Sequence, residues 1–313
     1  MAMTTWEPAY IALHESGELQ DRVEQACERL RSCHLCPRGC GIDRERGVPG
    51  YCRAGVMPRI SSYGPHYGEE PPLVGTGGSG TIFFSYCTMR CEFCQNYQIS
   101  HLAVGEDVSC TALAGMMINL QGRGCHNINF VTPTHFVPQI LKATSIAASM
   151  GLHIPLVYNT GGYDTVETLR LLDGVFDVYM PDAKYGDDEI ARALSHAPHY
   201  VDAMQRSLRE MHRQVGDLIV EDGIAVKGLI IRHLVLPGNL ARTEKVMEFI
   251  ANEISKDSYV NIMDQYYPAW NVAQGKVPPE FASLQRPITG EEYRYALHCA
   301  RKNGLHRGFP SLF

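Results

Sequence analysis

No stretch of the 313-residue chain approaches eighteen consecutive apolar residues, so the sequence offers no membrane-spanning helix. The opening segment MAMTTWEPAYIALHESGELQ has no basic start leading into an apolar core and a small-residue cleavage site, and no export signal is expected. No run of like charge suggests a tail, and the net charge of −6 gives no long-range attraction toward nucleic acid or anionic lipid. Solenoid-period repeats and low-complexity segments are also absent. These absences predict a soluble, cytoplasmic protein with neither a nucleic-acid nor a membrane partner. The length accommodates one large α/β domain with an appended module, or two ordinary domains, and either buries a sizeable core. Cysteine runs the other way. Eleven is a high and odd number, and in a reducing compartment clustered thiols serve metals or catalysis more often than disulfides.

Near the N-terminus, Leu19, Val23, Ala26, Cys27 and Leu30 recur at helical spacing and predict one buried stripe, with Cys27 a core residue. Residues 33–79 are rich in Gly, Pro and Tyr with little periodicity, which reads as irregular structure laid over a larger domain. The expected division is therefore an N-terminal helix with a Cys-rich module over 1–79 and a main domain over 80–313. From residue 80, β-rich apolar runs alternate with amphipathic helices. Strands are expected at 81–87, 127–132, 154–159, 176–181, 227–237 and 259–264. Leu113, Met116, Met117 and Leu120 mark one helical stripe; Val137, Ile140, Leu141 and Thr144 mark the next, closed by Gly151. Asp164 with Glu167, and Thr289 with Glu292, have the spacing of helix caps and their N3 partners. Val201, Met204, Leu208, Met211 and Val215 mark an extra helix, followed by a hairpin turn at EDGI. Six strands alternating with helices imply a parallel sheet, open or curled toward a barrel, with functional residues at the C-terminal strand ends.

The segment SYCTMRCEFCQN places Cys87, Cys91 and Cys94 in the loop leaving the first of these strands. A structural zinc wants four protein ligands, and the next candidates, His101 and Cys110, do not follow at short spacing. A disulfide would use two thiols and strand the third. A cubane iron–sulfur cluster has four irons, so three thiolates leave one iron free, a position that the amino and carboxylate groups of an amino acid can chelate.

CTMRCEFC resembles the CxxxCxxC signature of the radical S-adenosylmethionine (SAM) enzymes, including the aromatic Phe93 before the third cysteine. The resemblance implies a partial (β/α)6 TIM-like barrel, a [4Fe–4S] cluster on Cys87, Cys91 and Cys94, and SAM chelated at the free iron. It also implies an external one-electron reductant and reductive cleavage of SAM to a 5′-deoxyadenosyl radical that abstracts hydrogen from the substrate. Over residues 80–305 the chain further resembles the pyruvate formate-lyase activating enzyme group and its relatives. The carriers of that likeness are NTGG at 159–162, PDAK at 181–184 and RHLVLPG at 232–238. By this likeness Asn159 and Thr160 line the floor of the cofactor site, Asp182 and Lys184 address the amino-acid end of SAM, and Arg232 contributes from a neighbouring strand. A carboxylate suits the ammonium and a lysine the carboxylate of such a zwitterion. One departure stands out. Where the superfamily has a Gly-Gly-Glu-like turn after the second strand, this chain has VTPTHFVP with no acid, so Thr132, Thr134 or a backbone carbonyl must substitute, and His135 is a further polar contact or a plain helix residue.

GTGGSG at 75–80 precedes a strand and lacks a Gly-Lys-Ser/Thr ending, so it is not a phosphate loop; close backbone passage explains it better. Upstream, Cys33, Cys36, Cys40 and Cys52 have the ligand count of a zinc site or an additional cluster, with reduced or oxidised thiols as the alternative. Similar CxLCPRxC segments occur in the relatives just named. The leading functional expectation is a radical SAM oxidoreductase acting like a glycyl-radical activase on a protein or peptide loop. The alternatives are a radical SAM enzyme modifying a small molecule or another peptide, and a non-catalytic metal-binding or electron-transfer protein.

Overall fold

The computed structural model describes residues 6–310; residues 1–5 and 311–313, the outer ends of the two expected units, lie outside them. Nine strands form one sheet: β1 (Arg59–His66), β2 (Ser79–Phe84), β3 (Glu106–Asp107), β4 (Ile128–Val131), β5 (Leu156–Thr160), β6 (Val178–Pro181), β7 (Ile219–Glu221), β8 (Ile224–Leu234) and β9 (Tyr259–Met263). Six of them, β2, β4, β5, β6, β8 and β9, pair in parallel in chain order, which is the partial (β/α)6 barrel read from the sequence. Residues of β2, β4, β5 and β6 are almost all buried, as strands covered on both faces require.

The helical stripes sit where periodicity puts them. Leu113, Met117 and Leu120 are buried on the helix Cys110–Gly122, whose N-cap Ser109 accepts from Ala112 N–H at 3.0 Å. Val137, Ile140, Leu141 and Thr144 are buried on the helix Val137–Ser149. Thr289 and Glu292 form a reciprocal capping box. The predicted hairpin turns at Asp222-Gly223, both with positive φ, between β7 and β8.

Two expectations are corrected. The helix after Asp164 is capped by Thr165, whose hydroxyl accepts from Thr168 N–H, because the Asp164 side chain is drawn into the core. Residues 59–66, read as irregular, form β1 and pair antiparallel with β2 through six positions. Gly64 and Pro65 hid this strand; at a sheet margin a proline loses little, since one side of the strand has few ladder bonds to make. The division after residue 79 therefore falls one residue into β2 and separates it from the hydrogen-bonded β1. GTGGSG lies between β1 and β2 and supplies the first two residues of β2. A Cβ on Gly77 would lie 1.9 Å from the Gly124 carbonyl oxygen, so close backbone approach requires glycine there.

Candidate active site

The cofactor-site residues marked in the main domain lie at the C-terminal end of the parallel sheet, because each follows or ends a strand. Cys87, Cys91 and Cys94 occupy the loop after β2; Thr132 follows β4; Asn159 and Thr160 end β5; Asp182 and Lys184 follow β6; Arg232 is near the end of β8. The thiols and these polar residues line one cavity of about 160 Å³. It shares Cys91, Cys94, Asp182, Lys184 and Arg232 with an outer cleft of about 400 Å³.

The cysteine loop is shaped by left-handed backbone at Tyr86 and Arg90, with φ of 72° and 66°. Each thiol receives a donor. Met89 N–H lies 3.3 Å from Cys87 Sγ, Ser195 Oγ donates to Cys91 Sγ at 2.9 Å, and Ser100 Oγ is 3.1 Å from Cys94 Sγ. Ser195 and Ser100 are themselves tied to Tyr185 and His101 at 2.7 and 2.8 Å. Burial, against the pull of Lys184, pushes the free Cys91 thiol up to about 12, and metal ligation would deprotonate it outright. Among the described residues no three Cys, His or carboxylate groups are spaced for a single metal ion. Three thiols around one cavity at wider spacing, each with a hydrogen-bond donor, fit a larger multi-iron cluster with a vacant corner.

Beside the thiols lies an alternating ionic network. Arg232 Nε donates to Asp182 Oδ1 at 2.8 Å, its Nη2 donates to Asn159 Oδ1 at 2.7 Å, and its Nη1 faces Glu69 at 3.5 Å. Lys184 Nζ donates to the second Asp182 oxygen. Burial alone would raise the Asp182 carboxyl, but Arg232 and Lys184 outweigh it and hold it below the ordinary range. Burial would likewise lower the Lys184 ammonium, and Asp182 with Cys91 reverses the sign. Both ions therefore stay charged in a half-closed cavity.

Thr134 and Thr160 are less available than their positions suggested. Both hydroxyls donate to the buried Asp164, at 2.7 and 2.6 Å, and Tyr158 OH joins them at 2.9 Å. This knot fixes the floor of the site. Thr132 lines the cavity with φ of 60°, a strained conformation for a β-branched residue, at the point where the acidic turn was missing. His135 is held away from the cavity: Nε2 donates to the Ser85 carbonyl at 2.9 Å, and burial lowers the ring to about 3. Sequence reasoning missed Glu69. It reaches the outer cleft from the β1–β2 connection and accepts from Asn129 Nδ2 at 2.7 Å. Its only local signal was an acidic pair inside a Gly-rich segment.

The site is thus a charged recess beside three clustered thiols at the C-terminal rim of a parallel partial barrel. The chain belongs to the radical SAM superfamily, which it matches over residues 81–250. It is 33% identical over 296 residues to the uncharacterized protein MJ0674 of Methanocaldococcus jannaschii, covering 91% of this chain and 78% of that protein. Among solved structures it is similar to HydG, a maturase of the [FeFe]-hydrogenase, with 13% identity and a TM-score of 0.49; the match covers 72% of this chain and half of HydG, 50%. Similarity to TYW1 with a bound lysine-pyruvate adduct has a TM-score of 0.45 at 10% identity, covering 72% of this chain and 74% of TYW1. Methylornithine synthase (PylB) gives 0.45 at 14% identity, covering 71% and 62%. Membership implies a [4Fe–4S] cluster, SAM and a reductant as working parts. No helix among the described residues is long and apolar enough to cross a membrane.

Proposed function

We propose that the protein holds a [4Fe–4S] cluster on Cys87, Cys91 and Cys94 and binds SAM in the adjoining cavity as a radical SAM oxidoreductase. The observation that carries this reading is the shared cavity: the three thiols and the Asn159, Asp182, Lys184, Arg232 network open onto the same space. When bound, the cluster and SAM supply an electron and a carbon-centred radical able to take hydrogen from a substrate. The residues of the chain do the rest. Ser195, Ser100 and the Met89 amide orient and stabilise the thiolates. Asp182 has both oxygens committed to Arg232 and Lys184, so its task is to aim these two cations. Lys184 keeps donors free for a carboxylate, and Glu69 offers the acid absent from the turn after β4. The buried floor at Thr134, Thr160 and Asp164 keeps water from behind the ligand, where it would quench a reactive intermediate.

The outer cleft favours a finer reading. It opens beyond the cofactor cavity and is large enough for a section of extended chain, as a glycyl-radical activase requires of its protein substrate. The experiment is anaerobic: reconstituted, reduced protein should convert SAM to 5′-deoxyadenosine and methionine, and Cys91→Ala should abolish this. Turnover surviving in that variant sinks the cluster assignment. Incubation with a glycyl-radical enzyme should then give an organic-radical EPR signal; SAM cleavage without that signal, coupled instead to a small molecule, overturns only the activase reading.

A further inference from the structure

Four thiols outside the active site converge on a second, smaller cavity. Cys33, Cys36, Cys40 and Cys52 line it together with Arg38 and Arg44, and its volume is about 10 Å³, the room of about one water molecule. All four are unpaired; Cys33, Cys36 and Cys52 are half-buried, and Cys40 sits at the exposed rim. A tight turn, Gly39 N–H on the Cys36 carbonyl, and a loop closed by Gly41 N–H on the Cys33 carbonyl, both at 3.0 Å, bring the first three to one side.

The arginines supply the second observation. Arg44 is 1% exposed, yet among the described residues its guanidinium donates only to the carbonyl oxygens of Gly55 and His135 and meets no carboxylate. Arg38 donates to the carbonyls of Thr88 and His196 and lies 3.3 Å above the Tyr51 ring, again without an acid. A buried guanidinium without a counter-charge is costly, and carbonyl dipoles offset only part of the cost. Neutral thiols offer no balance. Four thiolates around a doubly positive metal core leave two negative charges, and Arg38 and Arg44 match them.

We infer that Cys33, Cys36, Cys40 and Cys52 hold a closed four-thiolate metal centre, separate from the active site and balanced by Arg38 and Arg44. A zinc ion and a cubane cluster satisfy the same charge requirement; among the described residues no three of these ligands are spaced for a single ion, which favours the larger cluster. The centre staples a segment that cannot fold by packing, since residues 31–58 contain no helix or strand and only Leu35, Arg44, Ala54 and Pro58 are buried there. It also braces the active-site loop, through Arg38 on Thr88 and Tyr51 OH on the Met89 carbonyl at 3.1 Å.

The test uses the full chain with Cys87, Cys91 and Cys94 all replaced by Ala, purified anaerobically from medium containing zinc and iron, so that the active site contributes no metal. The expected result is about one zinc per chain with four sulfur neighbours near 2.3 Å by X-ray absorption, or about four irons with a cubane spectrum. The two results distinguish ion from cluster, and either supports the centre. Adding Cys36→Ser and Cys52→Ser should lower the retained metal at least about tenfold. Should the triple variant misfold, the intact holoenzyme decides: zinc ligated by four sulfurs, or about eight irons, supports the centre. A holoenzyme with only the four irons of one cluster, whose four upstream thiols react at once with a thiol reagent in the native state, overturns it.

Discussion

At the scale of single residues, Asp182 and Lys184 have different tasks although they stand two positions apart. Asp182 neutralises two buried cations, so Asp182→Ala leaves Arg232 and Lys184 facing each other and should cost on the order of 3 kcal/mol of stability by urea titration. Lys184→Met removes one cation and leaves the Asp182–Arg232 pair intact. It should weaken SAM binding about tenfold or more, measured by equilibrium dialysis on the reconstituted protein, with the urea midpoint nearly unchanged. Unaltered SAM affinity in Lys184→Met would make the lysine a packing residue. His233, next to Arg232, sets a pH limit. It is fully buried, donates from Nδ1 to the Ala183 carbonyl at 2.6 Å and lies 2.9 Å from Thr243 Oγ1; burial lowers it to about 4. The unfolded chain therefore takes the proton first, so the neutral ring's contribution is present above the ordinary histidine value and is lost as pH falls through about 4. The loss should reach on the order of 3 kcal/mol. Comparing urea midpoints at pH 7 and 4.5 checks this: the gap between wild type and His233→Gln should narrow at the lower pH, and a constant gap contradicts it. Motifs made the cysteines and PDAK legible in the sequence. Glu69, Ser195 and Asp164 were not legible, because their partners lie tens of residues away and nothing local marks the meeting.

Elements were read well where burial imposes a period. The parallel strands β2, β4, β5 and β6 are buried on both faces and appear as apolar runs; the helices between them carry stripes. Reading failed where pairing, rather than patterning, defines the element: β1 carries Gly64 and Pro65 and alternates poorly, and its ladders with β2 and β3 make it a strand. Strand ends are equally silent about close backbone approach. Gly162 has φ of 75°, and a Cβ there would stand 2.4 Å from the Asp182 carbonyl oxygen. The turn after β5 thus seats directly on the residue after β6, which sets the height of the Asp182–Lys184 pair in the cavity. Gly162→Ala adds left-handed strain to a backbone clash and should cost about 2 kcal/mol or more. SAM binding should fall with it, since the pair is displaced. A denaturation midpoint within error of wild type would show that this turn has slack.

For the whole molecule, the question is whether the barrel stands without its N-terminal residues, as a division at 79/80 implies. The contacts argue for one cooperative unit. β1 covers the outer edge of β2, from Ile60 opposite Phe84 to His66 opposite Ser79. The helix Glu18–Glu28 packs on the helix Val137–Ser149, and its Leu19, Val23 and Ala26 are part of the main core. Asp177, below β6, accepts from Ala9 N–H and Leu156 N–H, both at 3.0 Å, tying the first helix to the barrel floor. Glu70 accepts from Asn261 on β9 at 2.8 Å, so the β1–β2 connection also reaches the last parallel strand. Removing residues 1–79 would strip all of these at once. It would leave β2 as an exposed, apolar, unpaired edge, the feature that templates aggregation in other sheets. A chain of residues 80–313 should therefore be recovered as aggregate under conditions that keep the full chain soluble. Sedimentation and urea unfolding decide the matter: a soluble monomer that unfolds cooperatively and still assembles iron at Cys87, Cys91 and Cys94 would mean the barrel is autonomous and the N-terminal segment merely docks on it.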